Sequence, residues 1–213
     1  STFATPMIEG PRPFYVIDAP DKFGMGSGKG KIAACISIFA DGKRNVAIHT
    51  LPRTEEDIKR EVTGILSVTS PTGVFDNIDI PEIKSKELAA LATSVVWADK
   101  QLYVKRTVEL PNRTLWIFAL NGAKFNEDIA RRCVMIRIDA RKDLNGRRAN
   151  TRTFDFVPEQ VAYDHYTRVV HAALTLLRYW VVSGRPRDPH LALGSFEHWV
   201  HVVGGTLYSL GAI

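Results

Sequence analysis

Apolar and polar positions fall into blocks along the chain, and the block lengths predict strands alternating with helices. FYVIDA, beginning at Phe14, is a short apolar run rich in β-formers and reads as a buried strand. The glycine-rich run FGMGSGKGK, Phe23 to Lys31, follows it, and KIAACISIFADG continues as an apolar helix that stops at Gly42. VAIHT reads as a second strand. PRTEEDIKREVTGILS reads as a helix with Thr54 as its cap, acidic residues in its first turn and an apolar face. TGVFDNID is a third strand carrying Asp76 at its end. SKELAALATSVVW predicts a helix of about a dozen residues, and QLYVKRTVEL and TLWIFALN predict two strands separated by the turn PNR. CVMIRID alternates enough for a further strand. From Val157 onward the pattern is helical: PEQVAYDHYTRVVHAALTLLRYWVVSG ends at Gly184, and SFEHWVHVVGGTLYSL predicts a second helix. The opening STFATPMIEGPRP has no helix start and is rich in proline, as expected of a piece of a longer chain.

This order predicts an α/β fold, a three-layer parallel sheet followed by a C-terminal helical lid. The polar, basic stretch ARKDLNGRRANTRTF marks the boundary, giving a core over 1–150 and a lid over 151–213. Neither an internal repeat nor a low-complexity tract interrupts it.

Composition narrows the function classes. At 213 residues and 23.8 kDa the chain supports one main core and at most a small appended lid. Its 45% hydrophobic and 24% charged content is that of an ordinary globular protein. The longest apolar runs fall short of the roughly 20 residues a membrane span needs, and no secretory leader is visible, so the expectation is a cytoplasmic protein with no membrane partner. Cys35 and Cys133 lie far apart in apolar surroundings and suit free thiols in a reducing compartment. The six histidines lack ligand-like spacing, so no structural metal site is expected. The net charge of +5 gathers between Arg131 and Arg152, which is compatible with a polyanionic partner.

Four motifs carry candidate chemistry. A strand, a glycine loop and a helix in that order form a phosphate cradle, in which backbone N–H groups meet an anion at the positive end of the helix dipole. Gly26, Ser27, Gly28, Lys29, Gly30 and Lys31 are the candidate nucleotide-binding residues, with Lys29 meeting the phosphates; packing alone also produces glycine turns before helices. Gly30 departs from the usual GxxxxGK[ST] pattern, whose hydroxyl helps hold Mg²⁺. In VFDN, Asp76 is the candidate Mg²⁺-positioning carboxylate and Asn77 stands where a water-polarising acid is usual. An amide orients water without taking its proton, which leaves Asp79, Glu127 or Asp128 as alternative bases; the plainer reading is a strand end and a turn. WIFALN delivers Asn121 to the carboxyl edge of the sheet, where ligands of open α/β sheets bind. DIARRC places Arg131 and Arg132 before a strand, where either reaches a phosphate bound by a neighbouring subunit or simply pairs with Asp128. Trp97 and Trp116 sit in apolar runs and are expected in the core.

Taken in order, GSGKGK, VFDN, FALN and DIARR resemble the core of AAA+ P-loop ATPases. LPNRTLWIFALNGAKFNEDIARRCVMIRID is more specifically similar to the ATPase domain of replication proteins of plasmids, phages and genomic islands. These are relatives of superfamily 3 and minichromosome-maintenance helicases. The resemblance spans about Phe14 to Gly205. It implies ATP and Mg²⁺ as cofactors, Lys29 on the β- and γ-phosphates, Asp76 on the metal, Asn121 as a sensor and Arg131 or Arg132 as an arginine finger supplied in trans. It further implies a homo-oligomer, a hexameric ring, hydrolysing ATP between subunits to unwind or translocate along single-stranded or forked DNA. Lys105 and Arg106 would lie where such helicases carry a pore hairpin, and would track DNA phosphates. Two rivals stand beside the helicase motor: a nucleotide-binding assembly or loader module with weak or no hydrolysis, and a metabolic P-loop kinase.

Overall fold

The computed structural model of the protein describes residues 2–19, 26–78, 81–101, 106–122, 124–138 and 155–212. A short 3-10 helix, Thr2–Met7, leads into β1 (Phe14–Asp18), α1 (Lys29–Asp41), β2 (Ile48–His49), α2 (Glu55–Ser67) and β3 (Thr72–Ile78). Then come β4 (Glu82–Ile83), α3 (Lys86–Thr93), β5 (Val96–Gln101), β6 (Arg106–Pro111), β7 (Leu115–Leu120) and β8 (Lys124–Phe125). The chain continues through α4 (Glu127–Ala130), β9 (Cys133–Arg137), α5 (Pro158–Asp164) and α6 (Tyr166–Val182). It ends in α7 (Glu197–Trp199), a π-helical turn over Val200–Gly204 and α8 (Gly205–Ser209).

Five strands pair in parallel in the order β2, β3, β7, β1, β9. Parallel strands need crossovers that cover the sheet faces, and their side chains divide accordingly. Val16, Phe75 and Phe118 join Ile58 and Val62 of α2 and Leu88 and Leu91 of α3 in one cluster. Ile17, Val74 and Ile117 turn the other way, onto Ala33 of α1. With both faces covered, every residue of β7 is buried, which is why LWIFAL is an unbroken apolar run. The fold is thus α/β with a parallel central sheet, and it is compatible with a P-loop-like architecture.

The C-terminal helices pack with the N-terminus. Leu177 and Trp180 of α6 and Trp199 of α7 share a cluster with Ala4 and Ile8, and with Tyr15 and Val134 from the sheet. Arg12 fixes the same corner by donating to the carbonyls of Thr5, Ile8 and Asn112.

Three predicted elements differ. The helix expected over SKELAALATSVVW stops at Thr93, where Ser94 turns extended, because the β-branched Val95–Val96 pair passes into β5. Of the strand expected over QLYVKRTVEL, residues 106–110 lie in β6 and Gln101 ends β5, which pairs antiparallel with β6, Val96 opposite Pro111 and Gln101 opposite Arg106, while 102–105 lie outside the described residues. The long helix expected from Pro158 is broken at His165 into α5 and α6, and no side chain caps the restart. Trp97 and Trp116 are buried as expected. PNR is more than a surface turn: the Asn112 amide donates to the carbonyls of Leu91 and Ser94 and accepts from Trp116 Nε1. Among the described residues no helix is long and apolar enough to cross a membrane.

Candidate functional site

The carboxyl ends of β1, β7 and β3 lie side by side, and the predicted chemistry gathers there. After β1 the described chain resumes at Gly26, with φ 73°, and Gly28 has φ 87°. Both values fall in the left-handed region that glycine enters without steric cost. Gly28 is the N-cap of α1 and makes no side-chain cap bond, and the first turn of α1 carries no acidic residue. Side chains cap α2, α3 and α4, whereas α5 and α6 start, like α1, without a side-chain cap bond. Thr54 accepts from Asp57 N on α2, Ser85 accepts from Leu88 N on α3, and Asn126 accepts from Ile129 N on α4. The first turn of α1, with no acidic residue and no side-chain bond from its N-cap, presents a positive dipole end.

Lys29 opens the helix and is only 6% exposed. Its Nζ donates to Ser27 Oγ at 2.9 Å. Burial pushes its pKa down, while the charges of Asp76 and Asp18 pull it back up. The two carboxylates thus offset part of the cost of burying this ammonium.

Gly30 meets Asp76 directly. A Cβ added at position 30 would stand 2.5 Å from Asp76 Oδ2, so the carboxylate lies against the point where any side chain at position 30 would begin. Asp76 is placed by an irregularity in β3, whose register with β7 shifts between Phe75 and Ile78. Asn77 stands in that bulge with φ 54°, a left-handed conformation that asparagine tolerates better than most residues, and its N–H donates to Asp76 Oδ1 at 2.8 Å. The backbone thus gives a reason for asparagine after the aspartate that is separate from catalysis.

Asn121 follows β7 directly and is exposed at this edge, with β7 lying between the strands that carry the loop and Asp76. One further residue of the site escaped the sequence reading. Asp18, the last residue of β1, is 9% exposed and accepts from the Gly122 N–H at 2.9 Å. The signal was present in FYVIDA, an apolar strand that ends on an acid at the mouth of a glycine loop.

Other predicted residues lie apart from this cluster. Lys31 turns away from the loop to Glu159 of α5, at 3.3 Å. Arg131 and Arg132 precede β9, whose first residue pairs with Phe14 at the amino end of β1, so they sit at the edge of the sheet away from their own loop. They also differ from each other. Arg132 is half-buried and donates to Ala89 O at 2.9 Å and to Asp128 Oδ2 at 3.0 Å, whereas the Arg131 side chain is 68% exposed and paired only along the surface with Asp128. Asp128 is committed to both arginines, and Glu127 is exposed on α4. Lys105 and Asp79 lie outside the described residues, as does the side chain of Arg106.

Magnesium nucleotide fits the residues present. Mg²⁺ typically keeps several waters and is held by one or two carboxylates together with substrate phosphates, which is what Asp76 beside a helix N-terminus offers. Among the described residues no group of three or more His, Cys, Asp or Glu side chains forms a metal site independent of such a ligand. Neither a family model, nor a curated protein, nor a solved structure matches the chain.

Proposed function

We propose that the chain is the ATPase motor of a DNA replication protein, an AAA+ domain that hydrolyses ATP at subunit interfaces to drive a helicase or translocase. The observation that carries this reading is the convergence of Gly28, Lys29, Gly30 and Asp76 at one end of a parallel sheet, with Gly30 in contact distance of the Asp76 carboxylate. Two motifs far apart in sequence, the glycine loop and the carboxylate of β3, meet at this edge, and Asn121 follows the strand between them. In this reading the first turn of α1 and Lys29 bind the β- and γ-phosphates, and Asp76 holds Mg²⁺ through its carboxylate. Bound Mg²⁺ supplies neutralisation of charge on the phosphate oxygens. Asn121 and Asn77 orient the attacking water. Arg131, exposed and remote from its own loop, is the finger offered to a neighbouring subunit, which makes the active form a homo-oligomer, a hexameric ring by the resemblance. By the resemblance, Lys105 and Arg106 carry the contact to single-stranded DNA, Arg106 being the first residue of β6.

A second reading draws on the surroundings of Asp76. Asn77 stands in the bulge directly after Asp76, where a water-polarising acid is usual, and an amide takes no proton from water. That favours a nucleotide-binding assembly or loader module with weak or no hydrolysis. Steady-state ATP turnover by the purified oligomer separates the two. The motor reading requires a rate that rises with single-stranded DNA and vanishes in Lys29→Ala, whereas nucleotide binding without turnover leaves the loader module.

A further inference from the structure

We propose that Asp18 is a positioning residue of the phosphate site, a clamp that sets Asn121 by holding the backbone of Gly122. The inference rests on the nucleotide reading above and gives a role to the one buried carboxylate of the site that no motif accounts for. Asp18 pairs with Leu120 across β1 and β7, level with the end of β7, and its Oδ1 accepts from the Gly122 N–H at 2.9 Å. Gly122 has φ 72°, so the chain turns sharply just after Asn121. Asn121 is exposed, and its direction depends on what fixes the turn that follows it. A carboxylate accepting from a backbone amide forms a charge-assisted bond, roughly twice as strong as a neutral one. An apolar residue at position 18 would suit the strand's packing better and would leave the Gly122 N–H without this acceptor. Burying a carboxylate at 9% exposure is costly, and the clamp, with the nearby charge of Lys29, offsets that cost. The strand that leads into the phosphate loop and the loop that bears the sensor are thereby tied at one point, and displacements of one are passed to the other.

Two measurements test the clamp, and only the second needs nucleotide. In the ligand-free protein the Gly122 amide proton resonates downfield in an amide correlation spectrum and is protected from exchange. Asp18→Ala moves it upfield and removes the protection, whereas Asp18→Asn, which keeps an acceptor oxygen, retains most of both. In single-turnover hydrolysis, Asp18→Ala lowers the rate at least tenfold and Asp18→Asn recovers it to within about threefold of wild type. Asp18→Ala added to Asn121→Ala costs nothing further, because both act through the same group. A Gly122 amide indifferent to Asp18→Ala overturns the clamp. A wild type that hydrolyses ATP while Asp18→Ala matches it, or while the two substitutions add in full, overturns the positioning role. A wild type that neither binds nor hydrolyses ATP overturns the motor reading and the positioning role with it, and the spectrum still decides whether the clamp exists.

Discussion

Replacing Gly30 by alanine tests the closest contact in the proposed site. Glycine inside a helix is less stable than alanine by about 0.5–1 kcal/mol, so on an unobstructed first turn this exchange stabilises the protein. Here the added methyl would lie 2.5 Å from Asp76 Oδ2, well inside the ordinary contact that begins at 3.4 Å. Overpacking of this kind costs about 1–3 kcal/mol. Turning the carboxylate away instead breaks its bond from the Asn77 N–H, worth about 0.5–1.5 kcal/mol. Turning is the easier route, because Asp76 Oδ2 is the far end of a side chain that can rotate, and it roughly cancels the gain in helix propensity, so the expected net loss is about 0–1 kcal/mol. At about 2–4 °C per kcal/mol for a chain of this size, Tm falls by no more than about 4 °C. The assay is calorimetric melting of the nucleotide-free protein, with Gly30→Ser as companion. The serine carries the same steric cost in the free protein, but its hydroxyl stands beside Asp76 and supplies the missing metal ligand. Its Mg²⁺-dependent gain in ATP affinity is therefore at least that of wild type, whereas that of Gly30→Ala is smaller. A Gly30→Ala protein that melts above wild type by the full ~1–4 °C that about 0.5–1 kcal/mol of helix propensity supplies would refute the contact.

Three further outcomes follow from the same geometry. Arg132→Ala loses bonds to Ala89 O and Asp128 from a half-buried position and destabilises the fold by about 1–3 kcal/mol in urea, whereas Arg131→Ala changes stability by less than about 0.5 kcal/mol yet lowers kcat of the assembled protein by about 10³ or more. Asn77→Gly leaves the urea midpoint nearly unchanged and Asn77→Val lowers stability by about 1–2 kcal/mol, because φ is 54° at that position. Burial pushes the Cys133 thiol from 9.0 to about 12, so at pH 8 it resists a thiol-specific disulfide reagent until the protein unfolds. Since the folded pKa lies above the unfolded one, the stability linked to Cys133 is fully present below pH 9 and is lost as pH rises towards about 12.

The parts of the fold legible in sequence were those where one local rule acted alone. Gly28 and Gly42 take left-handed angles at the two ends of α1, and Thr54 caps α2 as its side chain and following acids predict. LWIFAL reads as a buried strand because both faces of β7 are covered. Val95, Val96 and Trp97 were harder, since an apolar run of that length satisfies a helix face and a strand alike, and only pairing with Leu110 and Pro111 decides it. The break at His165 has no glycine or proline to announce it. In the candidate site the loop and Asp76 were readable as spaced motifs, but Asp18 was not. Its role depends on β7 lying beside β1, a long-range pairing with no local trace. Arg131 and Arg132 look equivalent in sequence, and separate only when Ala89 of α3 supplies an acceptor for one of them.

The central claim is that Lys29 and Asp76 together bind the phosphates of a magnesium nucleotide. Equilibrium titration of the wild type, Lys29→Ala and Asp76→Asn with ATP, in the presence and absence of Mg²⁺, tests it most directly. The account predicts that wild type binds ATP more tightly with Mg²⁺, that Lys29→Ala loses binding in both conditions, and that Asp76→Asn keeps binding but loses the Mg²⁺ dependence. A folded wild-type protein that binds no ATP, or one whose affinity is untouched by Lys29→Ala, would contradict it.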